Sequence, residues 1–192
     1  WVLDVGDLTT FKFSADYARL KAAGPARRQT YGSLGVAGNR FVGGPFDTRS
    51  NVDPSFDNEQ GGASLYAVHH FDGVDLVSIT AYRRALTVGI FDIDGTRSPI
   101  AKVEQHFPDR QFSQEIQLLS TGAGPFSYTL GAYYFRSSGG YLPAFVTTPV
   151  QFQNVSSRQR ARAPAIYGQG TYKLGPATSL TLGLRYSWET RY

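Results

Sequence analysis

The chain has 192 residues, enough for one domain with a core of its own. It has no Cys, which excludes a disulfide framework and a thiolate metal site, and 19 Lys and Arg against 15 Asp and Glu leave a net charge of +4. The basic residues are dispersed, clustering only at Arg27–Arg28, Arg83–Arg84 and Arg158/Arg160/Arg162, and no RNA- or DNA-binding motif accompanies them, so nucleic acid is not an expected partner.

Aromatic residues at 14% and 21 glycines fit a β-rich chain with many turns. No apolar run is long enough for a transmembrane helix, which leaves strand-spanning membrane proteins open because their hydropathy signal is weak. Trp1–Asp7 lacks the basic and apolar regions of a signal peptide, and Met is absent even at position 1. We therefore expect a mature or internal segment.

The first strand is expected over Leu8–Lys21, where Phe11, Phe13, Ala15 and Tyr17 alternate with Thr10, Lys12, Ser14 and Asp16. A long Gly-rich and polar segment, Ala23–Gly61, follows. The second strand is Ala63–Phe71, closed by the Asp72-Gly73 hairpin signal, and the third is Asp75–Thr87, rich in Val, Ile, Thr and Tyr. A second long connection is expected over Val88–Pro108. Strand four, Arg110–Ser120, turns through Thr121–Pro125 into strand five, Phe126–Ser137. The third long connection, Ser138–Arg158, contains Gly139-Gly140, Pro143 and Pro149. Strand six, Ala161–Leu174, turns through Gly175–Thr178 into strand seven, Ser179–Tyr192.

Strand seven carries the clearest pattern. Leu180, Leu182, Leu184, Tyr186 and Trp188 alternate with Thr181, Gly183, Arg185, Ser187 and Glu189. One face is apolar and ends in two aromatics, and the other is polar with both signs of charge. That is the pattern of a strand with lipid on one side and a watery lumen on the other. Connections alternate long and short, so in an up-and-down sheet the long loops gather at one end and the tight turns at the other. Most expected strands reach the roughly 9–11 residues that cross a tilted bilayer, beyond the usual strand length of about 5–6. The fold class is all-β: an antiparallel up-and-down meander of about seven long strands, an open segment of a transmembrane β-barrel. A soluble β-sandwich is the alternative.

Motifs for chemistry are weak. His69 and His70 are adjacent on a strand and point to opposite faces, and His106 stands apart, so no metal site is expected. Asp92-Ile93-Asp94-Gly95 resembles the start of a Ca²⁺ loop but lacks its later ligands, and Asp53, Asp57 and Glu59 fare no better. Gly32, Gly35 and Gly38 lack the Lys-Ser/Thr of a phosphate loop, and no Gly-x-Ser-x-Gly elbow appears. No cofactor and no enzymatic activity are expected.

Four stretches carry a family likeness. Phe112–Ser120 (FSQEIQLLS) resembles the S-Q-E-[LI]-[RQ]-L-x-S strand of TonB-dependent outer-membrane receptors. Pro125–Phe135 (PFSYTLGAYYF) is similar to the family's following strand, and Ser78–Arg83 (SITAYR) to its S-I-T-x-Y-R strand. Ala165–Leu174 with Leu180–Tyr186 (LTLGLRY) resembles its Y-x-L … L-T-L-x-x-G-L-R-Y pair. The matches lie in family order over Ala63–Tyr192. The resemblance implies a barrel of about 22 strands with a plugged lumen in the outer membrane of a Gram-negative bacterium. It also implies active import of a scarce nutrient, such as a ferric siderophore or similar iron complex, powered through TonB. The expected partners are outer-membrane lipid, the receptor's own plug domain, the TonB system and that small ligand. About seven strands cannot close such a barrel, and no plug or TonB-contact segment is recognisable, so residues 1–192 are expected to be an internal part of the barrel domain. A passive porin-like barrel is the alternative within the same membrane.

On that reading the ligand surface should be loops and lumen. The loop candidates are Tyr31, Arg40, Phe41 and Phe46 in the first long connection and Tyr141, Phe145 and Phe152 in the third. Lys12, Asp16, Glu115, Gln117, Arg185 and Glu189 are expected to face the lumen.

Overall fold

The computed structural model describes residues 1–25, 44 and 46–192, which form a single antiparallel sheet with no helix among them. The strands are β1 (Val2–Val5), β2 (Thr9–Ala23), β3 (Ser55–Phe71), β4 (Val74–Asp92), β5 (Lys102–Ser120), β6 (Phe126–Thr147), β7 (Phe152–Gly175), β8 (Thr178–Ser187) and β9 (Thr190–Arg191). Their spatial order is β1 to β8 in sequence, with β9 paired to β7. The sheet is an open meander, edged by β1 and β8.

All seven expected strands are present, and at the tight turns their ends fall within a residue of expectation. The apolar runs stop there at Gly and Pro, and Gly73 adopts φ +73° as the hairpin requires. At the opposite end the strands run much further than expected. The connections expected over Val88–Pro108 and Ser138–Arg158 shrink to residues 93–101 and 148–151, and the first runs from 24 to 54. Gly and Pro in those stretches read locally as loop, but a long ladder absorbs them at irregularities. The β5–β6 register slips between Gln105 and Asp109, beside Pro108, and the β6–β7 register slips between Tyr141 and Ala144, beside Pro143. Gly140 has φ +144°, and a Cβ there would lie 2.0 Å from the Ser157 carbonyl oxygen, so neither conformation nor space admits a side chain. Turns and loops thus segregate to opposite ends as expected, although one of the three loop-end connections is only four residues long.

Two further differences concern the ends. β1 was not expected, because four residues are too few to display a period; it pairs with β2 through a turn at Gly6, φ +62°. The expected strand seven is interrupted at Trp188–Glu189, yet Thr190 and Arg191 oppose Arg162 and Ala161, the register that Ser187 has with Ala165. One ladder therefore continues to the end of the chain, held across the gap by the Trp188 amide donating to the Pro164 carbonyl (2.9 Å).

Register sorts side chains into two faces, since directly opposed residues share a side. One face carries the rows Lys12–Tyr66–Ile79–Glu115–Tyr133–Ala165–Ser187 and Asp16–Gly62–Arg83–Gln111–Ser137–Ala161. The other carries Phe13–Leu65–Thr80–Gln114–Tyr134–Pro164 and Leu118–Leu130–Gly168–Leu184. We call these the polar and apolar faces. The buried apolar residues Val68, Val77, Val103, Ala144 and Ala165 all belong to the polar face, whereas exposed Leu182 (72%) and Leu184 (87%) belong to the apolar one. Side chains crowd on the concave side of a curved single-layer sheet, so this burial pattern makes the polar face the inner one.

Candidate functional site

The polar face holds two side-chain networks, each spanning a glycine. In the first, Asp16, Gly62 and Arg83 oppose one another on β2, β3 and β4. Arg83 Nη1 and Nη2 donate to Asp16 Oδ1 and Oδ2 at 2.7 and 2.8 Å, a bidentate pair reaching over the middle strand. A Cβ on Gly62 would stand 2.7 Å from Arg83 Cγ, so the missing side chain is what lets the arginine lie across.

In the second, Gln117, Gly131, Tyr167 and Arg185 stand in one row across β5 to β8. The Tyr167 hydroxyl donates to Glu115 Oε1 (2.5 Å), and Gln117 Nε2 donates to both Tyr167 Oη (2.9 Å) and Glu115 Oε1 (3.0 Å). The tyrosine ring lies over Gly131, where a Cβ would be 2.1 Å from Cζ. The Arg185 guanidinium stands 5.7 Å from the ring centres of Tyr133 and Tyr167, within cation–π range. At the turn end Lys12 lies 5.4 Å over the Tyr66 ring.

Of the residues expected to face the lumen, Lys12, Asp16, Glu115, Gln117 and Arg185 thus share the polar face. Glu115, Gln117 and Arg185 meet around one tyrosine, while Asp16 belongs to the other network. Glu189 lies in the interruption between β8 and β9, where its carboxylate accepts from Arg191 Nε. Arg83, Tyr133 and Tyr167 are members that sequence reasoning missed. Their alternation was visible, but their partners are set by register and by the two glycine gaps.

The loop candidates do not converge. Tyr31, Arg40 and Phe41 lie outside the described residues. Phe46 is 98% exposed. Tyr141, Phe145 and Phe152 belong to strands rather than a loop, because the connection that was to carry them is residues 148–151. Tyr141 packs on Phe107 (ring centres 4.3 Å) on the polar face, whereas Phe145 stacks on Phe152 (5.5 Å) and meets His106 edge-on (6.5 Å) on the other.

The apolar face has a polar inclusion. Thr80 Oγ1 donates to Gln114 Oε1 (2.6 Å), and Gln114 Nε2 donates to Ser78 Oγ (3.0 Å), so the three groups satisfy each other among apolar neighbours. The adjacent Gln114 and Glu115 of the SQE run therefore serve opposite faces.

In the β4–β5 connection Asp94 organises the chain. Its Oδ1 accepts from the Thr96 amide (2.9 Å) and hydroxyl, and its Oδ2 accepts from the Ala101 amide (2.7 Å). Burial pushes the Asp94 carboxyl up, but these hydrogen bonds outweigh it and hold it below its ordinary value. The histidines have separate partners: His69 Nδ1 meets Thr9 Oγ1, His70 Nδ1 meets Asp75 Oδ1 (both 2.7 Å), and His106 Nε2 meets Glu104 Oε1 (3.0 Å). Among the described residues no three metal-ligating side chains gather.

Comparison with known proteins agrees with this architecture. The family model "TonB dependent receptor-like, beta-barrel" matches residues 4–192. The fold is similar to that of the ferric yersiniabactin uptake receptor FyuA from Yersinia pestis, with a TM-score of 0.72 and 15% sequence identity over 97% of this chain and 28% of that one. The chain thus spans little more than a quarter of that receptor's length. No curated protein matches the sequence. With its meander, its two-faced strands and a family match over nearly the whole chain, the protein belongs to the TonB-dependent receptor β-barrel family.

Proposed function

We propose that this chain is part of the barrel of an outer-membrane receptor that imports a scarce nutrient, a ferric siderophore or similar iron complex, with energy delivered through TonB. The observation that carries the reading is the division of the sheet into two faces. The inner face holds charge in self-satisfied networks around Asp16, Arg83, Glu115, Tyr167 and Arg185. The outer face presents Phe13, Leu65, Ile116, Leu130, Leu182 and Leu184 to the surroundings. Polar side chains inside and apolar ones outside are the reverse of a water-soluble sheet and suit a bilayer-embedded barrel. In the parent protein the remaining strands and a plug domain complete the lumen. The aromatic pair Phe107–Tyr141 stands on the inner face at the loop end, where an arriving ligand meets the barrel first.

A second reading, a passive porin-like barrel, is less favoured because the family match is to receptors rather than to porins. The test is uptake of ⁵⁵Fe-loaded siderophores by cells carrying the full-length receptor as their sole iron-complex transporter, with TonB present or deleted. Accumulation that requires both receptor and TonB supports the proposal. Uptake independent of TonB supports the porin reading.

A further inference from the structure

At the loop end of the apolar face, aromatic residues give way to arginines. Tyr82 opposes Phe112, and one same-face step further on Arg84 opposes Arg110. Tyr134 opposes Pro164, and one step on Arg136 opposes Arg162. Arg160 and Arg158 continue the series opposite Ser138 and Gly140. A same-face step is about 7 Å, so the basic rows stand just beyond an aromatic belt. A groove of about 460 Å³ runs between them, with Arg110, Arg136, Arg158 and Arg160 along it and Tyr82 and Phe112 below.

The charges are uncompensated. Like charges directly opposed across strands repel, and here two arginine pairs are so opposed. Three arginines elsewhere do hold carboxylates: Arg83 holds Asp16, Arg19 holds Asp57 with Nε and Nη2 at 3.0 and 2.7 Å, and Arg191 holds Glu189, whereas Arg185 has tyrosine rings for neighbours. Among the described residues Arg84, Arg110, Arg136, Arg158 and Arg160 form no ion pair with a carboxylate.

We infer that this groove is a binding site for the phosphates of a lipid headgroup in the surrounding leaflet. The inference rests on the reading that the apolar face meets lipid. Guanidinium forks match phosphate oxygens bidentately, and an anion in the groove offsets the charge of Arg110 and Arg136, one member of each opposed pair. The aromatic rows beneath place the groove at headgroup depth, where a lipid delivers its phosphate with acyl chains lying along the apolar face. A soluble anion gains nothing from that lower half.

The test uses the full-length receptor in phosphatidylcholine nanodiscs carrying traces of lipid A, either diphosphorylated or dephosphorylated, with retained lipid counted by native mass spectrometry. Wild-type receptor is expected to retain the diphosphorylated form about tenfold more than the dephosphorylated one. The triple variant Arg110→Gln, Arg136→Gln, Arg160→Gln should lose that preference while remaining heat-modifiable on gels. Equal retention of both lipids by wild type, which needs no variant to fold, overturns the inference. So does a preference that survives in the folded triple variant, or one abolished by millimolar inorganic phosphate, which would assign the groove to a soluble anion. A spin label on Leu182→Cys in the same nanodiscs separates the two levels. A lipid-exposed label with no headgroup preference sinks the arginine site alone, and a label shielded from lipid sinks the facing on which it rests.

Discussion

At the residue scale the inner networks depend on absent side chains. Gly131 is the clearest case, because the Tyr167 ring fills the space its Cβ would take and the tyrosine hydroxyl ties Glu115 and Gln117 together. Gly131→Ala must push the ring away and break that cluster. We expect a loss of about 1–3 kcal/mol for the full-length receptor in denaturant unfolding, since overpacking and lost hydrogen bonds act together. Gly183→Ala is the matched control. Its Cβ would meet Gln169 at 3.6 Å, an ordinary contact, so it should be close to neutral. Equal losses for the two variants would contradict the gap argument. None of this was legible in the sequence. Gly131 read as one more glycine in a strand, and only the register with Tyr167 gives it a task.

Asp94 makes a second residue-scale prediction. Its carboxyl is held below the ordinary value of 3.8 in the folded loop, so the stability it contributes is complete above that value and is lost as pH falls through the lower folded one. Hydrogen exchange at the Thr96 and Ala101 amides should show protection, relative to intrinsic rates, above pH 3.8 and its progressive loss as pH falls below that. In Asp94→Asn those amides should lack this acid step. Unchanged protection across the range in the wild type would exclude the carboxylate as the loop's organiser.

At the element scale β8 is the informative strand. Leu182 and Leu184 belong to the apolar face, while Thr181 bonds Thr171 (2.9 Å) on the polar one. Leu182→Arg places a charge in the bilayer at a cost of about 2–4 kcal/mol, whereas Thr181→Arg places it in the lumen. Outer-membrane assembly yields of the full-length variants should therefore fall for Leu182→Arg and change little for Thr181→Arg. Comparable yields would contradict the facing of β8. This facing was readable beforehand because a period of two needs no tertiary information. Strand length was not. The loop-end halves of β5 and β6 hold Pro108, Gly139-Gly140 and Pro143, which argue locally for loop, and they are strand because neighbouring strands pair around the irregularities. That extension also moved Tyr141, Phe145 and Phe152 out of the expected loop and onto two faces.

At the scale of the whole molecule the meander, its order and the segregation of turns from loops were all in the sequence, because tight turns announce themselves with Asp-Gly and Gly-Pro. The inner networks were half legible: five lumen candidates share the polar face, but the tyrosines and Arg83 that join them emerge only from register. The polar group Ser78–Thr80–Gln114 shows the limit of reading by alternation, since a face called apolar admits polar side chains that satisfy each other. The arginine rows beyond the aromatics are a collective feature as well, assembled from four strands distant in sequence.

The central claim is that the sheet separates lipid from lumen. Its most direct test is site-directed spin labelling of single-Cys variants at each position of Leu180–Ser187, in the full-length receptor cleared of other cysteines and reconstituted in a bilayer. Labels at 180, 182, 184 and 186 should be relaxed by lipid-soluble oxygen, and those at 181, 183, 185 and 187 by a water-soluble nickel chelate, alternating without a break. Accessibility that does not alternate, or alternates in the opposite phase, would contradict the account.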